Sequence, residues 1–302
     1  LGPAYIKFGQ VLSTRPDVVG DELAVQLRVL QDKLPPFPLA QARATVAREL
    51  EVDVDTVFSD FSEAVAAASI AQVHRARLRD SGREVAVKVL RPGIEKAFRR
   101  DVDAFYFAAR MIELIAPSAR RLRPMEVITH FEGVVLGELD LRMETASSAE
   151  FASNTAEDPG FQVPQAEWFL SSRRVMTLGW AEGIPANDIV AIEAAGHDRA
   201  ALGERVLRLF LQHALRDGFF HADMHHGNLK IAENGDIIAL DFGIMGRLDE
   251  YTRRAYAEIL FGISKPATSR RTAMSMNSPA PCARWASRSS AWTRPASRWA
   301  AC

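Results

Sequence analysis

Cysteine is nearly absent from this sequence, and its two copies, Cys282 and Cys302, both stand in the last stretch of the chain. The body therefore offers no disulfide framework, and a cytoplasmic setting is the default expectation. No run of 18 apolar residues occurs, which predicts no membrane-spanning helix, and no secretory signal peptide is recognisable. An initiator Met is also missing, because the chain opens with Leu1-Gly2-Pro3, so we interpret the sequence as a fragment.

An excess of charge of either sign is missing too. The 302 residues include 37 basic and 38 acidic side chains, and the resulting net charge of −1 gives no general attraction to nucleic acid. With 48% hydrophobic and 25% charged residues, the composition is that of an ordinary globular protein. A chain of this length can form two lobes or one large domain.

The densest group of reactive side chains stands in the last third of the chain. Asp223 and Asn228 are separated by four residues. Two short apolar segments follow, Leu229–Ala232 and Ile237–Leu240, and an Asn-Gly pair lies between them. Asn-Gly is typical of a hairpin turn because both residues tolerate positive φ. The sequence therefore predicts a β-hairpin directly after Asn228.

An Asp-Phe-Gly sequence, residues 241–243, comes directly after this hairpin. The order D-x-x-x-x-N, hairpin, D-F-G is typical of the catalytic and metal-binding loops of kinases. In this interpretation Asp223 accepts the proton of the attacking hydroxyl. Asn228 and Asp241 bind the Mg²⁺ ions that neutralise the phosphates of ATP.

A metal-dependent hydrolase is the alternative interpretation of the same stretch. His221, Asp223, His225 and His226 are all potential ligands of first-row metals, and H-x-D-x-H on a loop could hold zinc or iron. The stretch alone does not exclude this class of enzyme.

A lysine-bearing strand is predicted in the first third of the chain. Residues 64–90 indicate a small-residue turn, a strand, a Ser-Gly turn and a second strand ending at Lys88. V-A-V-K is typical of the kinase strand whose lysine binds the α- and β-phosphates, although a strand-end lysine often only reaches solvent. The turn stands where kinases carry a Gly-rich loop, so Ala67, Ala68 and Ser69 are candidate phosphate contacts. Alanine excludes the positive φ angles that glycine would allow.

Helices dominate residues 94–155, one ending at Pro117 and a second running from about Met125 to beyond Glu144. A kinase needs a helical glutamate to orient the strand lysine, and Glu144 is the candidate partner of Lys88. Periodicity alone favours the alternative, an acidic helix face in solvent.

The remaining segments set the order of the chain. Short strands at Val163-Pro164 and Val175–Trp180 occupy the position of an interlobe connection, and Asp198–Arg216 predicts an amphipathic helix that leads into the catalytic stretch. This is the order of a kinase. The predicted fold class is therefore α+β, a two-lobed protein-kinase-like fold with an N-terminal helical extension and a helical insert in the small lobe. The predicted divisions are the extension at 1–50, the small lobe at 51–180, a partial large lobe at 181–264 and a basic tail at 265–302.

Four motifs in this order resemble those of the UbiB/AarF family of atypical kinases. Lys7–Gln10 is similar to the family's K-x-G-Q signature, and Ala66–His74 to its Ala-rich loop. Glu138–Asp140 is similar to its E-x-D motif, with Glu144 six residues further on. His221–Asn228 is similar to its H-A-D-x-H-P-G-N loop.

The resemblance covers roughly residues 1–250 and implies a specific function. In the family the extension folds over the active site, so Lys7 and Gln10 should lie near the nucleotide, with Lys7 meeting Glu138 and Asp140. The implied cofactors are ATP and Mg²⁺. The implied activity is ATP hydrolysis or phosphorylation of a small molecule or lipid in support of ubiquinone biosynthesis, peripheral to a membrane. A pseudokinase that only binds nucleotide and a lipid or quinone precursor is the non-catalytic alternative.

Two departures from the family pattern are visible. His226 stands where the family usually has Pro, next to a predicted metal ligand, and we expect this change to be tolerated. The tail at 265–302 has seven basic residues, no acidic one and no apolar periodicity. We expect it to be disordered, and its composition favours a frame-shifted end over a segment that binds lipid or nucleic acid.

Overall fold

The computed structural model describes residues 3–13, 20–27 and 34–264. The tail at 265–302 lies outside these ranges. By its internal contacts the chain divides into one compact unit, Leu1–Arg254, and a second, Ala255–Cys302. The four divisions predicted from the sequence stay predictions. Within the described ranges, no helix is both long and apolar enough to cross a membrane.

The described chain mixes helices and short strands, as the α+β prediction requires. The helices are α1 (Pro3–Ser13), α2 (Asp21–Leu27), α3 (Leu39–Leu50), α4 (Val54–Val57), α5 (Ile94–Ile115), α6 (Pro124–Glu138), α7 (Leu141–Thr155), α8 (Ile189–Ala194), α9 (Arg199–Gln212) and α10 (Glu250–Ser264). The strands are β1 (Phe58–Ala67), β2 (Ala71–Leu78), β3 (Glu84–Leu90), β4 (Phe161–Gln162), β5 (Val175–Gly179), β6 (Ile184–Pro185), β7 (Phe219–His221), β8 (Leu229–Ile231), β9 (Ile237–Ala239) and β10 (Met245–Arg247).

The first sheet has the strand order β1-β2-β3-β5, with each neighbouring pair antiparallel. Alternation along β3 gives the sheet its two faces. Val85, Val87 and Val89 are fully buried and pack in one apolar cluster with Val46 of α3. Lys88, between the last two of these valines, therefore projects from the opposite face of the sheet.

The sequence analysis was wrong about the start of this sheet. A small-residue turn was predicted from residue 64, but β1 runs from Phe58 to Ala67 and only Ala68–Ile70 form the turn. Three register shifts against β2 interrupt the alternation of side chains along β1 and hide the strand from a period-two pattern. Strand β3 also continues past Lys88 to Leu90.

The helix predicted from Met125 through Glu144 is in fact two helices. Helix α6 ends at Glu138 and α7 begins at Leu141. Between them Asp140 is the N-cap of α7, and its Oδ1 accepts a hydrogen bond from the backbone N–H of Arg142 at 3.2 Å. Apolar periodicity continues across the break, which explains why the pattern indicated one helix.

The predicted hairpin after Asn228 is present as β8 and β9, which pair antiparallel in a sheet of order β4-β9-β8-β6. At its turn Gly235 has a φ of +83°, whereas Asn234 does not have a positive φ. The turn is therefore not the symmetric type in which both residues are left-handed. The strand predicted at Val163-Pro164 was misplaced, since β4 is Phe161–Gln162 and pairs parallel with β9.

The helix predicted at 198–216 is present as α9 followed by a π-helical turn, His213–Asp217. Asp198 caps it by accepting from the backbone N–H of Ala200 at 2.8 Å. In the π-helical turn the guanidinium of Arg216 donates to the buried Asp158 carboxylate at 2.8 Å, and His213 Nε2 lies 3.1 Å from the same oxygen. These contacts fix the segment that leads into β7 and the predicted catalytic loop.

The free energy of unfolding should fall in mild acid because three histidines are buried. Burial lowers the pKa of His74, His213 and His221, so all three stay neutral in the folded chain when the unfolded chain is already protonated. The unfolded state then binds more protons below pH 6.5, and the free energy of unfolding should fall as the pH drops through that value. Each histidine contributes at most about 1.4 kcal/mol per pH unit.

Urea unfolding at pH 7.5, 6.5 and 5.5 measures this slope. His74→Gln should reduce it, whereas the same change at His130, which is exposed on α6, should leave it unchanged. Equal unfolding free energies at pH 7.5 and 5.5 would contradict the prediction.

Candidate active site

Lys88 is the centre of the candidate site. Its Nζ lies 2.7 Å from Oε1 and 2.9 Å from Oε2 of Glu144, and 3.4 Å from Oδ2 of Asp241. The Lys88 and Glu144 side chains are 21% and 10% exposed, whereas Asp241 is 49% exposed. A cation from the small-lobe sheet is therefore held between a helical carboxylate and a carboxylate that opens to solvent.

The helix break explains how Glu144 reaches this position. Because Asp140 caps α7, Glu144 stands in the first turn of that helix, and buried residues such as Leu141 and Phe151 fix the helix against the core. The backbone amide of Phe242 also favours the charged form of the Glu144 carboxylate and lowers its pKa. One side chain thus contacts both the lysine strand and the segment after β9.

The electrostatics of the three groups depend on one another. Burial alone would lower the pKa of Lys88, but the carboxylates of Asp241 and Glu144 outweigh it and raise that pKa. Burial raises the pKa of Glu144, and Lys88 offsets this only in part. The charge of Lys88 lowers the pKa of Asp241 to about 2, against the effect of burial. Lys88 and Asp241 are therefore both charged at neutral pH.

Asp241 is oriented by the two residues that follow it, Phe242 and Gly243. The Phe242 ring is buried and packs 5.9 Å from the His221 ring and 6.2 Å from the Phe151 ring, centroid to centroid. The backbone N–H of Gly243 donates to Asp241 Oδ1 at 3.0 Å. A Cβ at Gly243 would lie 3.2 Å from the same oxygen, so glycine leaves room for this turn. Oδ2 is left to face Lys88.

Asp223 and Asn228 lie side by side in the loop between β7 and β8. The Asn228 side-chain nitrogen donates to Asp223 Oδ2 at 3.0 Å and to its backbone oxygen at 3.1 Å. His225 Nε2 lies 3.5 Å from the same carboxylate, and the backbone N–H of Asp223 donates to His221 Nδ1 at 3.1 Å. Because its nitrogen is used in this way, Asn228 has its amide oxygen available for a cation.

Two histidines, His221 and His225, accept hydrogen bonds from the backbone of this loop. Nδ1 of His221 and Nδ1 of His225 each accept a hydrogen bond from a backbone N–H two residues further on. Across the described ranges, no group of three or more His, Cys, Asp or Glu side chains is arranged to hold a metal ion. The geometry therefore gives the hydrolase alternative no support. His226 is exposed, and its tolerance stays a prediction.

The N-terminal helix brings a second lysine to the site. Lys7 Nζ lies 2.9 Å from Glu138 Oε2, and the charge of Lys7 also contributes to the lowered pKa of Asp241. Phe8 anchors α1 by packing against Phe105, with ring centroids 4.8 Å apart.

Asp140 and Gln10 are the other two residues that were predicted to lie beside Lys7. Asp140 pairs with Arg142, whose Nε lies 2.9 Å from Oδ1, in addition to capping α7. Gln10 belongs to α1, and its side chain lies outside the described part of the chain.

The alanine-rich turn was predicted to contact phosphate through Ala67, Ala68 and Ser69. Ala67 closes β1 and Ala68 begins the turn, with its backbone N–H donating to the Ala71 oxygen at 2.8 Å. The Ser69 side chain is fully buried, so a phosphate could contact this residue only through its backbone. Sequence reasoning missed Arg91, which donates two hydrogen bonds to the Ala68 oxygen, because nothing in the pattern around it indicated this contact.

The segment from β5 to β6 joins the first sheet to the sheet of order β4-β9-β8-β6. Gly183 has a φ of +156°, and a Cβ there would lie 2.6 Å from the Ile231 carbonyl oxygen, so only glycine fits. A cavity of about 580 Å³ lies beside this segment, lined by Trp180, Ala181, Glu182 and the turn of the hairpin. It contains none of the predicted site residues, and the charged cluster around Lys88 is a separate feature.

Comparisons with known proteins agree with this arrangement. The profile of the ABC1 atypical kinase-like domain matches residues 29–275. A protein of Shewanella oneidensis described as probable protein kinase UbiB is 42% identical over 263 residues, which are 85% of this chain and 48% of that protein. Its counterpart in Marinobacter nauticus is 40% identical over 253 residues, 82% of this chain and 46% of that protein. The chain thus spans about half the length of the curated relatives it matches.

A solved structure gives the fold. The Rv3197–erythromycin complex from Mycobacterium tuberculosis is similar with a TM-score of 0.61 and 30% sequence identity, over 79% of this chain and 60% of that one. Together with the mixed helices and sheets, this likeness confirms the predicted α+β, protein-kinase-like fold.

Proposed function

Because this chain belongs to the ABC1 atypical kinase-like family, with relatives described as UbiB, we propose that it binds ATP with Mg²⁺ and transfers or hydrolyses the terminal phosphoryl group. The observation that carries this proposal is the Lys88 ammonium, held between the Glu144 and Asp241 carboxylates. A pseudokinase that binds nucleotide without turnover is the second candidate.

Lys88 binds the phosphate oxygens in this proposal. Its raised pKa keeps the ammonium charged, and Glu144 holds it in one place through two short contacts. Preorganised charge of this kind stabilises a transferring phosphoryl group without rearrangement at the moment of reaction.

Asn228 and Asp241 would hold Mg²⁺. Carboxylate and amide oxygens are the hard donors that this ion prefers, and the ionised Asp241 keeps one oxygen turned toward Lys88. When bound, Mg²⁺ neutralises charge on the phosphate oxygens. Asp223 would accept the proton of the attacking hydroxyl or water at its carboxylate, which Asn228 and His225 orient.

The extension argues for a small or lipid-like acceptor. Helix α1 brings Lys7 within electrostatic reach of Asp241, and Lys7 pairs with Glu138, where it would restrict access by a protein substrate. A lipid or quinone precursor and a role in ubiquinone biosynthesis are the corresponding proposals for the acceptor and the pathway.

A surface of the helical insert supports association with an anionic membrane. Phe107, Leu114 and Ile115, in the second half of α5, are 68%, 70% and 74% exposed. Arg120 and Arg121 follow in the next turn and are exposed. Apolar side chains beside arginines fit the interface of an anionic bilayer.

Phosphate release from ATP with Mg²⁺ tests the proposed function. We expect turnover, and faster turnover with phosphatidylglycerol vesicles than with phosphatidylcholine vesicles. Leu114→Ser combined with Ile115→Ser should remove the stimulation and leave the basal rate, whereas Val190→Ser, at another exposed apolar position, should change neither. If ATP binds but none of these conditions gives phosphate release, the pseudokinase is favoured.

A further inference from the structure

Arg91, the first residue after β3, joins two segments that are distant in the sequence. Its Nε and Nη2 donate to the Ala68 carbonyl oxygen at 3.0 and 2.9 Å, in the turn between β1 and β2. Its Nη1 donates to the Pro35 carbonyl oxygen at 3.0 Å, and Nη2 lies 3.3 Å from that of Leu34. The planar fork of a guanidinium allows one side chain to bind acceptors on both sides.

The segment Leu34–Phe37 is held at a second point by Gln72 of β2. The backbone N–H of Phe37 donates to Gln72 Oε1 at 2.9 Å, and Gln72 Nε2 donates to the Phe37 carbonyl oxygen at 3.1 Å. Gln72 is buried, and the Phe37 ring lies over the Arg91 guanidinium at 5.8 Å. Because Leu34–Phe37 precedes α3, it is the linker between the first part of the extension, which carries Lys7, and α3, which packs against the first sheet.

These bonds fix backbone positions rather than side-chain packing. The described acceptors that the Arg91 side chain bonds at Ala68, Pro35 and Leu34 are carbonyl oxygens, and its own backbone N–H donates to the Ile70 oxygen at 2.9 Å. Hydrogen bonds from a charged donor to partly buried carbonyls are among the stronger ones in proteins. Arg91 also follows Lys88 by three residues, so the turn, the linker and the lysine strand are connected through one short segment.

We propose that Arg91 is a positioning residue that couples the alanine-rich turn at Ala68 to the linker Leu34–Phe37, and thereby to the extension that carries Lys7. Coupling of this kind is reciprocal, so that loosening either segment loosens the other. The additional effect of nucleotide on the linker rests on the proposed function, whereas the coupling itself does not.

Hydrogen exchange at two amides tests the coupling without nucleotide. The Phe37 amide is bonded to Gln72 and reports on the linker, while the Ala68 amide is bonded to Ala71 and reports on the turn. In Arg91→Lys, which keeps the charge but loses the fork, both amides should exchange about fivefold faster or more. Amides of β8 and β9 should keep their rates, which separates the effect from general destabilisation.

Arg77→Lys is the matched control, because Arg77 lies on β2 and pairs with Glu84 away from the turn. It should leave both reporter amides unchanged. The coupling is overturned if Arg91→Lys speeds the Ala68 amide and leaves the Phe37 amide at its original rate.

A change made on the linker side tests reciprocity, and it also serves if Arg91→Lys does not fold. Phe37→Leu removes the ring over the guanidinium and leaves the backbone acceptors in place. It should speed exchange of the Ala68 amide, which Phe37 does not bond. An unchanged Ala68 amide in this variant contradicts the proposal.

Addition of ATP with Mg²⁺ gives a further readout. In the original chain both reporter amides should exchange more slowly with nucleotide, and in Arg91→Lys only the Ala68 amide should respond. If nucleotide binds and the Phe37 amide of the original chain does not respond, coupling to the nucleotide is overturned. If no nucleotide binds at all, the proposed function fails, and the nucleotide-free experiment still decides the role of Arg91.

Discussion

Replacing Asp241 by Asn should remove the magnesium-dependent part of the affinity for ATP, a loss of at least about 100-fold. The substitution keeps the shape of the side chain and removes the charge that both Lys88 and a cation would use. Asp241 is ionised well below neutral pH, since Lys88 lowers its pKa to about 2, so the full carboxylate charge is lost in the variant. Calorimetric titration with ATP, once with Mg²⁺ and once with EDTA, separates the metal-dependent part.

Asp103→Asn is the control for this experiment, because Asp103 is exposed on α5, away from the cluster. It should bind ATP like the original chain under both conditions. If Asp241→Asn kept the same difference between the Mg²⁺ and EDTA titrations, Asp241 would not be a metal ligand.

Replacing Lys88 by Met should lower the free energy of unfolding by about 3–5 kcal/mol as well as abolish phosphate binding. Without the ammonium, the largely buried Glu144 carboxylate faces Asp241 with no counter-charge. Glu144→Gln alone should cost much less stability, because Lys88 and Asp241 remain paired, but it should still impair turnover through a mispositioned lysine. Urea unfolding at pH 7.5 and phosphate release measure the two effects separately.

A double-mutant cycle identifies the origin of that loss. In the Glu144→Gln background, Lys88→Met should cost markedly less than in the original chain, because the like-charge pair no longer forms. An equal cost in both backgrounds would show that Lys88 stabilises the fold through packing of its chain and not through the ion pair.

The parts of the site that depend on local sequence could be predicted. The hairpin after Asn228 follows from two apolar segments around a glycine turn, and α9 follows from its cap and periodicity. The placement of Lys88 beside Glu144 was harder, because 56 residues separate them and periodicity favoured a solvated helix face for Glu144. Only the combination of motifs indicated the contact.

Other features were not accessible to pattern reasoning. The break before α7 depends on a single cap, Asp140, within an uninterrupted apolar pattern. Strand β1 was hidden by its register shifts. The described hydrogen bonds of the Arg91 side chain go to backbone oxygens of Ala68, Pro35 and Leu34, and a backbone acceptor cannot be predicted from side-chain identity.

The most direct test of the central claim is a crystal structure with a non-hydrolysable ATP analogue and Mn²⁺, whose anomalous signal locates the metal. The account predicts the metal peak at the carboxylate of Asp241 and the amide oxygen of Asn228, with a phosphate oxygen bonded to Lys88 Nζ. A nucleotide seated instead in the cavity beside Trp180, with no metal at Asp241, would contradict it.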